Sequence, residues 1–307
     1  MPELPEVEVV RRGLEAHVLD RTIHAVEVLH PRVARRQVQG AGHFTSVLAG
    51  RTFVGTGRRG KFLWLVTDDP DLVLAAHLGM SGQFRVDSGA GAGSVHMGAE
   101  AGDIGPDAPG DAPHRHARAR FDLGGQQLWF LDQRTFGWLA ACPVVPDPRG
   151  VLVPDLVRQI APDPTDPTFD VRTVARALRA HRVEIKRLLL GQTLVSGIGN
   201  IYADEALWAA GVHPRRRADK LSVSALVGVL DAATAVMAAS LAEGGTSFDS
   251  LYVNVNGESG YYGRGLAAYG RAGLPCPRCG APIVRERFMN RSSHFCPACQ
   301  RPPRLSH

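Results

Sequence analysis

Apolar residues recur along this chain with two different periods, one typical of helices and one typical of strands. Val7, Val10, Leu14 and Val18 follow the spacing of one helix face, after a first turn that contains Pro5. From about residue 23 to residue 140, short apolar runs are separated by Gly, Asp and Pro, as strands are separated by turns. Clear examples are residues 62–66, 72–76 and 127–131. The pattern predicts an N-terminal helix packed on a β-sandwich.

Helical spacing returns in the second half of the chain, after a Pro- and Asp-rich stretch at residues 143–167 that is typical of an interdomain linker. Two sets of apolar residues carry this spacing and predict a helical domain. They are Val171, Val174, Leu178, Ile185 and Leu188, and further along Leu226, Val229, Leu230, Ala233 and Met237.

Two stretches have no clear periodicity and are predicted to be loops. Residues 87–113 are rich in Gly, Ala and Asp, with five acids and no Lys or Arg, so we do not expect them to lie on DNA. Residues 246–269 form a second long stretch of this kind. Loops of that length inside a compact protein are often lids or binding elements.

The charge balance is compatible with a nucleic-acid partner. Only three of the 35 Lys and Arg residues are Lys, the formal net charge is +5 and the isoelectric point is about 9.2. Guanidinium groups bind phosphate with two hydrogen bonds, although an Arg bias also arises from the base composition of a genome. No apolar run looks long enough to cross a membrane, and the start is acidic where a secretory signal is basic, so we expect a cytoplasmic protein.

The most specific pattern is a pair of Cys-x-x-Cys motifs near the end of the chain, separated by sixteen residues. Four thiolates at this spacing are typical of a tetrahedral Zn²⁺ site with no open coordination position, so such a metal is structural. A disulfide or an iron site is the alternative and suits the compartment and the symmetric spacing less well. The predicted ligands are Cys276, Cys279, Cys296 and Cys299.

Two predicted elements present groups that bind phosphate. The residues between the Cys motifs are expected to form a hairpin that carries Arg285, Arg287 and Arg291, although three Arg can also form a merely solvated face. Asn200 follows a Gly-rich turn and begins a predicted helix that ends before Gly211. The N–H groups at such a helix start bind phosphate, and the alternative is an ordinary tight turn.

The first three residues, Met1-Pro2-Glu3, offer a different chemistry. A small residue at position 2 favours removal of the initiator Met, which would expose the secondary amine of Pro2. The positive end of the helix dipole would lower the pKa of this amine and leave more of it nucleophilic near neutral pH. The alternative, which this stretch alone favours, is an acidic capping turn after a start codon.

Two further stretches and one isolated Lys fit a surface that faces DNA. Met80 lies in a Gly-flanked turn, and Arg134 and Phe136 follow a predicted strand. An apolar wedge beside an Arg can enter an opened base stack, although each stretch alone is more often an ordinary hairpin turn. Lys61 is the only Lys in the first 185 residues and offers a titratable amine for proton transfer, which Arg does not.

Taken together and in this order, four motifs resemble the bacterial formamidopyrimidine-DNA glycosylase family. They are Met-Pro-Glu-Leu-Pro-Glu at the start, His-Leu-Gly-Met-Ser-Gly at 77–82, Gly-Ile-Gly-Asn-Ile-Tyr-Ala at 197–203 and the four-cysteine site. The resemblance runs from residue 1 to about residue 300 and implies an α+β multidomain fold. The implied parts are an N-terminal helix on a β-sandwich at 2–145, a helix-two-turn-helix domain at 155–245, a lesion-capping loop and connector at 246–269, and a zinc finger at 270–304.

The resemblance implies a monomeric, nucleoid-associated enzyme with one structural Zn²⁺ that removes oxidised purines, 8-oxoguanine and formamidopyrimidines, from damaged double-stranded DNA. It assigns catalysis to Pro2, Glu3, Lys61 and Arg291. Pro2 would form a Schiff base at C1′ while Glu3 transfers a proton, and β-elimination would follow. Lys61 would serve as an acid, and Arg291 would assist the δ-elimination.

The same resemblance assigns DNA contacts. Met80, Arg134 and Phe136 would fill the void that an extruded base leaves, and Asn200 would bind a phosphate. His116 would contact DNA, with His114 as the alternative because the 87–113 insert is long.

Two rival functions stay open at this point. One is an endonuclease VIII-like glycosylase for oxidised pyrimidines, which shares the Pro-Glu start. The other, from a different class, is a non-catalytic zinc-finger protein that binds damaged DNA and in which Pro2 is inert.

Overall fold

The chain folds into two compact units. The computed structural model describes residues 2–88, 95–97, 115–245 and 265–303, with the backbone alone at 88 and 95–97. The first unit comprises Met1–Gln159 with Glu243–Tyr261, and the second comprises Ile160–Ala242 with Tyr262–His307. Most of the predicted lesion-capping loop at 246–269 lies outside the described residues, as does His114.

Two five-stranded antiparallel sheets form the body of the first unit. The strands are β1 (Ala25–Val28), β2 (Phe53–Arg59), β3 (Phe62–Thr67), β4 (Leu72–His77), β5 (Gly82–Ser88), β6 (Val95–Met97), β7 (Ala117–Asp122), β8 (Gln126–Asp132), β9 (Trp138–Pro146) and β10 (Leu152–Pro154). One sheet has the order β1-β7-β8-β5-β6 and the other β10-β9-β4-β3-β2. Phe84, Phe121 and Phe130 of the first sheet share one buried cluster with Leu63 and Leu139 of the second, so the predicted sandwich is confirmed.

Helix α1 (Leu4–Val18) packs on β2 and β3, and the four apolar positions predicted for its inner face are all buried. The backbone N–H of Glu3 donates to Glu6 Oε2 at 2.8 Å and closes the first turn as part of a capping box. The predicted helix and its buried face are therefore confirmed.

Three elements of this unit depart from the sequence-based expectations. Helix α2 (Gly40–Leu48) lies in a region predicted to hold strands. The sequence does not predict this helix, because its two buried residues, Phe44 and Leu48, are too few to give a periodic signal. Strand β6 lies in the stretch expected to be a loop and pairs with β5. Strand β10 lies in the expected linker and pairs with β9. Both strands lie at a sheet edge, where backbone pairing needs no apolar run.

Four helices dominate the second unit: α3 (Val171–Arg179), α4 (Ile185–Leu190), α5 (Asn200–Ala209) and α6 (Val223–Ala242). Helix α6 packs on α3 and α5, and the five apolar positions predicted for its inner stripe are buried. Leu178 of α3 and Ile185 of α4 are fully buried as well. The predicted helices are therefore confirmed.

Helix α6 also corrects the expectation that no segment is long enough to cross a membrane. Among the described residues it is the one helix that passes this test of length and composition. Its buried apolar side chains lie in the stripe that packs on α3 and α5, and much of the rest of the helix is Ala. This is the arrangement expected of the central helix of a helical domain.

The second unit contains an antiparallel hairpin of β11 (Val284–Phe288) and β12 (Arg291–Phe295) between its two Cys motifs, as predicted. Met289 in its turn has a φ of +54° and is 52% exposed.

A buried ion pair between Arg59 and Asp147, 2.8 Å apart, joins β2 to the turn between β9 and β10. Burial opposes the charge on Asp147, but the N–H groups of Val151 and Arg149 and the guanidinium groups of Arg149 and Arg59 outweigh it and lower its pKa to about 2. Because the folded-state pKa is depressed below 3.8, the stability that Asp147 contributes is present above about pH 4 and is lost as the pH falls toward 2.

We predict that Asp147→Asn lowers the free energy of unfolding by about 3 kcal/mol at pH 7, because it leaves the Arg59 guanidinium buried without a charged partner. Urea unfolding at several pH values measures this, and the difference from the wild type should shrink below about pH 4. Asp68→Asn is the control, because Asp68 is an exposed acid in the turn after β3. It should leave the free energy of unfolding nearly unchanged. A loss in Asp147→Asn that is constant between pH 7 and the acid limit would contradict the proposed charge contribution.

Candidate active site and nucleic-acid interface

Buried side chains fix the start of α1. Pro2 is buried and Glu3 is 2% exposed. One turn further, Glu8 accepts hydrogen bonds from Arg11 at 2.9 Å and from Arg58 of β2 at 3.0 Å. Burial opposes the charge on Glu8, but the hydrogen bonds and charges of Arg11 and Arg58 outweigh it and lower its pKa to about 2. The helix that begins next to Pro2 is therefore held on the sheet by charged contacts as well as by its apolar face.

Lys61 lies in the tight turn between β2 and β3 and is 7% exposed. Its neighbour Phe62 lies opposite His77 of β4, with ring centroids 4.8 Å apart. Burial and then the positive charge of Lys61 lower the pKa of His77 to about 4, so His77 is neutral at pH 7. Its Nδ1 accepts the N–H of Gly79 at 3.1 Å. Sequence reasoning did not single out His77, although the motif His-Leu-Gly-Met-Ser-Gly begins with it.

Met80, Arg134 and Phe136, predicted from separate stretches, are brought together by two neighbouring turns. Arg134 Nη1 lies 3.6 Å from Met80 Sδ, and Phe136 is 48% exposed. An exposed aromatic ring beside a thioether and a guanidinium has the chemistry of a base-stack wedge. The segments that carry these residues, 78–82 and 132–137, are named here the wedge turns.

The buried carboxylate of Asp132 joins the two wedge turns. It accepts the hydroxyl of Ser81 and the N–H of Gly137, both at 2.6 Å. Gly79 has a φ of +63°, and a Cβ at this position would lie 2.5 Å from the nitrogen of Gly137, so no side chain fits between the turns. The N–H of Asp132 donates to the carbonyl of His116 at 2.9 Å, which places this predicted DNA contact beside the wedge turns.

Asn200, the predicted phosphate ligand, begins α5 as expected. Its Nδ2 donates to the carbonyl of Ser292 on β12 at 3.0 Å, and its buried Oδ1 has no hydrogen-bond partner within the described part of the chain. The side chain therefore supports the hairpin, and the second hydrogen on Nδ2 remains the group that can donate to a phosphate.

Helix α5 carries a buried carboxylate, Asp204, that sequence reasoning missed. Lys186 of α4 is fully buried, and its Nζ lies 2.6 Å from Asp204 Oδ1. The same carboxylate accepts the hydroxyl of Ser293 at 3.0 Å and the N–H of His294 at 2.9 Å, both on β12. Asp204 thus ties the hairpin to two helices. Its signal in the sequence is an acidic pair, 204–205, inside an otherwise apolar helix.

The second acid of the pair, Glu205, anchors the chain that leads into the four-cysteine segment. It accepts the N–H groups of Ala267, Ala268 and Tyr269 at 2.9, 2.8 and 2.7 Å. Burial raises the pKa of Glu205 in spite of these three donors.

The four predicted metal ligands meet at one point. The Sγ atoms of Cys276, Cys279, Cys296 and Cys299 all lie within 4.8 Å of one another. A tetrahedral Zn²⁺ with bonds of about 2.3 Å needs sulfur atoms about 3.8 Å apart, so the site fits one structural ion and the zinc prediction is confirmed. The indole N–H of Trp208 lies 3.3 Å from Cys276 Sγ. Burial opposes the thiolate, but this donor, the backbone N–H groups of Arg278 and Cys279 and the thiol of Cys296 together outweigh it and lower the pKa of Cys276 to about 6.

Arg291 begins β12 next to the hairpin turn, where its Nε donates to Asn290 Oδ1 at 3.2 Å. Arg285 is exposed and donates to Ser292 Oγ at 2.9 Å. The strand that carries Arg291 is the one that Asn200 and Asp204 hold, so its backbone is fixed although its side chain lies near a turn.

Comparisons with known proteins agree with this architecture along nearly the whole chain. The family model for the formamidopyrimidine-DNA glycosylase N-terminal domain matches residues 1–139, and that for the H2TH domain of the same proteins matches residues 160–251. A model of the zinc finger found in FPG and IleRS matches residues 273–302.

Individual relatives give the same result. The formamidopyrimidine-DNA glycosylase of Rhodococcus opacus is 52% identical over 100% of this chain and 99% of its own length. That of Mycobacterium avium is 54% identical over 99% of this chain and 100% of its own. Two crystal structures show the Lactococcus lactis protein bound to DNA, one with an abasic site and one with Fapy-dG. Each is 32% identical to this chain and has a TM-score of 0.77, and the match covers 98% of this chain and 100% of the Lactococcus lactis chain. The chain therefore belongs to the formamidopyrimidine-DNA glycosylase family.

Proposed function

We propose that this base-excision repair glycosylase removes 8-oxoguanine and formamidopyrimidines from double-stranded DNA and then cleaves the resulting abasic site as a lyase. The observation that carries the catalytic assignment is the buried, capped start of α1, which holds Pro2 and Glu3 at a fixed place on the sandwich. The substrate class is carried over from relatives that align over the full chain.

The first step uses the amine of Pro2 after Met1 has been removed. Its lone pair attacks C1′ of the damaged nucleotide, the bond from C1′ to the base breaks, and the departing base takes a proton. Loss of the amine proton and opening of the sugar then leave an iminium ion. Glu3 is the group next to Pro2 that supplies or relays these protons.

The iminium ion is permanently cationic, because a secondary amine has no second proton to lose from nitrogen. It therefore acidifies the C2′ proton without further protonation. Loss of that proton expels the 3′ phosphate in β-elimination, and a second elimination expels the 5′ phosphate. In this scheme Lys61 serves as an acid and contacts phosphate or the lesion, and Arg291 clamps phosphate during the second step.

The DNA contacts in the proposal divide into wedge and phosphate groups. Met80, Arg134 and Phe136 fill the space of the extruded nucleotide, which agrees with their shared position on the wedge turns. Asn200 binds a phosphate of the DNA through the second hydrogen of its amide nitrogen, and His116 contacts DNA.

The substrate also fixes the place of action. Bacterial chromosomal DNA lies in the cytoplasm, so the enzyme acts there. We propose that it is also associated with the nucleoid.

The rival within the same chemistry is an endonuclease VIII-like enzyme for oxidised pyrimidines. The full-length match to formamidopyrimidine-DNA glycosylases favours the purine substrate. A direct comparison of excision from duplexes with 8-oxoguanine and with an oxidised pyrimidine decides between them.

Borohydride trapping tests the nucleophile. On a duplex with 8-oxoguanine opposite cytosine, the wild type should form a covalent adduct, because reduction converts the iminium ion into a stable amine. Pro2→Gly replaces the secondary amine with a primary amine and should reduce the yield of the adduct by at least about tenfold.

Pro5→Gly is the matched control, since it changes a proline of the same first turn and leaves the terminal amine untouched. It should retain trapping. Failure of the wild type to form any adduct would overturn the lyase proposal and favour a protein that only binds damaged DNA.

A second experiment tests the role of the metal. Cys296→Ser should lose zinc and most DNA affinity, because the fully buried Sγ of Cys296 is one of the four ligands and β12 begins five residues before it. The first unit should still unfold cooperatively, since it holds none of the ligands.

Cys142→Ser, a buried cysteine in the sandwich outside the metal site, should keep one zinc per chain and its DNA affinity. Metal content by absorbance with a chelating dye and DNA binding by fluorescence anisotropy provide the measurements. Tight binding by metal-free Cys296→Ser would rule out this structural role.

A further inference from the structure

Arg35 reaches from outside the sandwich sheets to one of the wedge turns. It follows a short 3-10 helix at Pro31–Ala34 and is exposed. Its Nη2 donates to the carbonyl of Phe136 at 2.5 Å, and its Nη1 donates to the carbonyl of Gly137 at 2.6 Å. One planar guanidinium therefore binds two successive carbonyl groups directly beside the exposed ring of Phe136.

The peptide group between Phe136 and Gly137 is hydrogen-bonded at both its carbonyl oxygen and its N–H. Arg35 holds its carbonyl oxygen, and the buried carboxylate of Asp132 holds its N–H at 2.6 Å. A trans peptide is planar, so fixing both of these atoms fixes the orientation of the whole unit. The backbone direction of Phe136 then has little freedom.

These hydrogen bonds stabilise the wedge turn at 132–137, whose backbone is strained. Thr135, which lies between Arg134 and Phe136, has a φ of +54°. A β-branched residue rarely adopts this left-handed conformation, and it persists only where neighbouring contacts enforce it. Asp132 enforces it from the buried side, through the N–H groups of Arg134 and Gly137. Arg35 enforces it from the outer side.

We propose that Arg35 is a positioning residue that holds Arg134 and Phe136 in the shape that enters the base stack, and that it thereby sets discrimination of the base opposite the lesion. This inference rests on the wedge role proposed above. The guanidinium of Arg134 has only donors, so it favours an opposite base that presents two adjacent acceptors, such as cytosine, over adenine. If the turn is less rigid, the N–H donors of Arg134 are directed less accurately at the acceptors of the opposite base.

Arg35→Lys is the informative change. It keeps the positive charge, but a single ammonium group cannot hold two carbonyls in one plane. The ratio of single-turnover excision rates for 8-oxoguanine opposite cytosine and opposite adenine should fall by about fivefold or more, the low end of what a bidentate contact with a base contributes. DNA affinity and its salt dependence should stay within about twofold of the wild type.

Arg36→Lys is the matched control. Arg36 is the exposed neighbour and makes no side-chain hydrogen bond among the described residues. It should leave the excision ratio unchanged. In a duplex with 2-aminopurine next to the lesion, the fluorescence increase on binding, which reports unstacking by the wedge, should be smaller for Arg35→Lys and unchanged for Arg36→Lys.

The outcomes separate the inference from the proposed function. If Arg134→Ala abolishes the cytosine preference but Arg35→Lys and Arg35→Gln both keep it, the positioning role of Arg35 is wrong and the wedge proposal stands. If Arg35→Lys and Arg36→Lys weaken DNA binding alike with an unchanged ratio, Arg35 is a phosphate contact only and the inference is again overturned. A wild type that excises nothing overturns the proposed glycosylase function, whereas a wild type that excises the lesion without any preference for the opposite base overturns this inference alone.

Discussion

The proposed chemistry needs a chain terminus, ordinarily the most mobile part of a protein, to be held still. The structure meets this requirement by beginning a helix immediately after Pro2 and Glu3 and by burying that helix on two strands of the sandwich. The capping contact from Glu6 fixes the first turn, and Glu8 fixes the second turn to β2. The same strand leads into the turn of Lys61, so the two proposed catalytic groups are mounted on elements that contact each other directly.

The second unit combines an apolar core between its helices with buried polar contacts that hold its hairpin in place. Asp204 and Glu205 are consecutive, so their side chains leave α5 about 100° apart and bind different segments, the hairpin and the chain before it. Burying a carboxylate is costly unless donors surround it, and each of these carboxylates accepts at least three. These hydrogen bonds are directional. Because their donors come from particular backbone positions, they fix where β12 and Arg291 lie.

The sequence allowed prediction of those parts whose signals are local. The buried stripes of α1 and α6 follow from spacing along one helix, and the zinc ligands follow from the spacing of four cysteines. Helix α2 and strands β6 and β10 could not be predicted, because α2 buries too few apolar residues to give a periodic signal and the two edge strands pair through their backbones without an apolar run. The candidate wedge residues were recognisable, whereas the groups that hold them, Asp132 and Arg35, were not. A side chain that binds a backbone carbonyl about a hundred residues away has no periodic signature.

The contacts of α5 have a consequence for how the second unit loses its structure. Trp208 near the end of α5 donates to a metal ligand, while Asp204 in its middle holds the hairpin between the two Cys motifs. If the hairpin opens, the charge of Asp204 loses two of its donors and Lys186 loses the carbonyl of Ser292, to which it donates at 3.1 Å. Local opening of the finger therefore destabilises α4 and α5, and we expect the three elements to exchange their amide hydrogens as one cooperative group. Zinc occupancy is in this way linked to the protection of helices that contain none of its ligands.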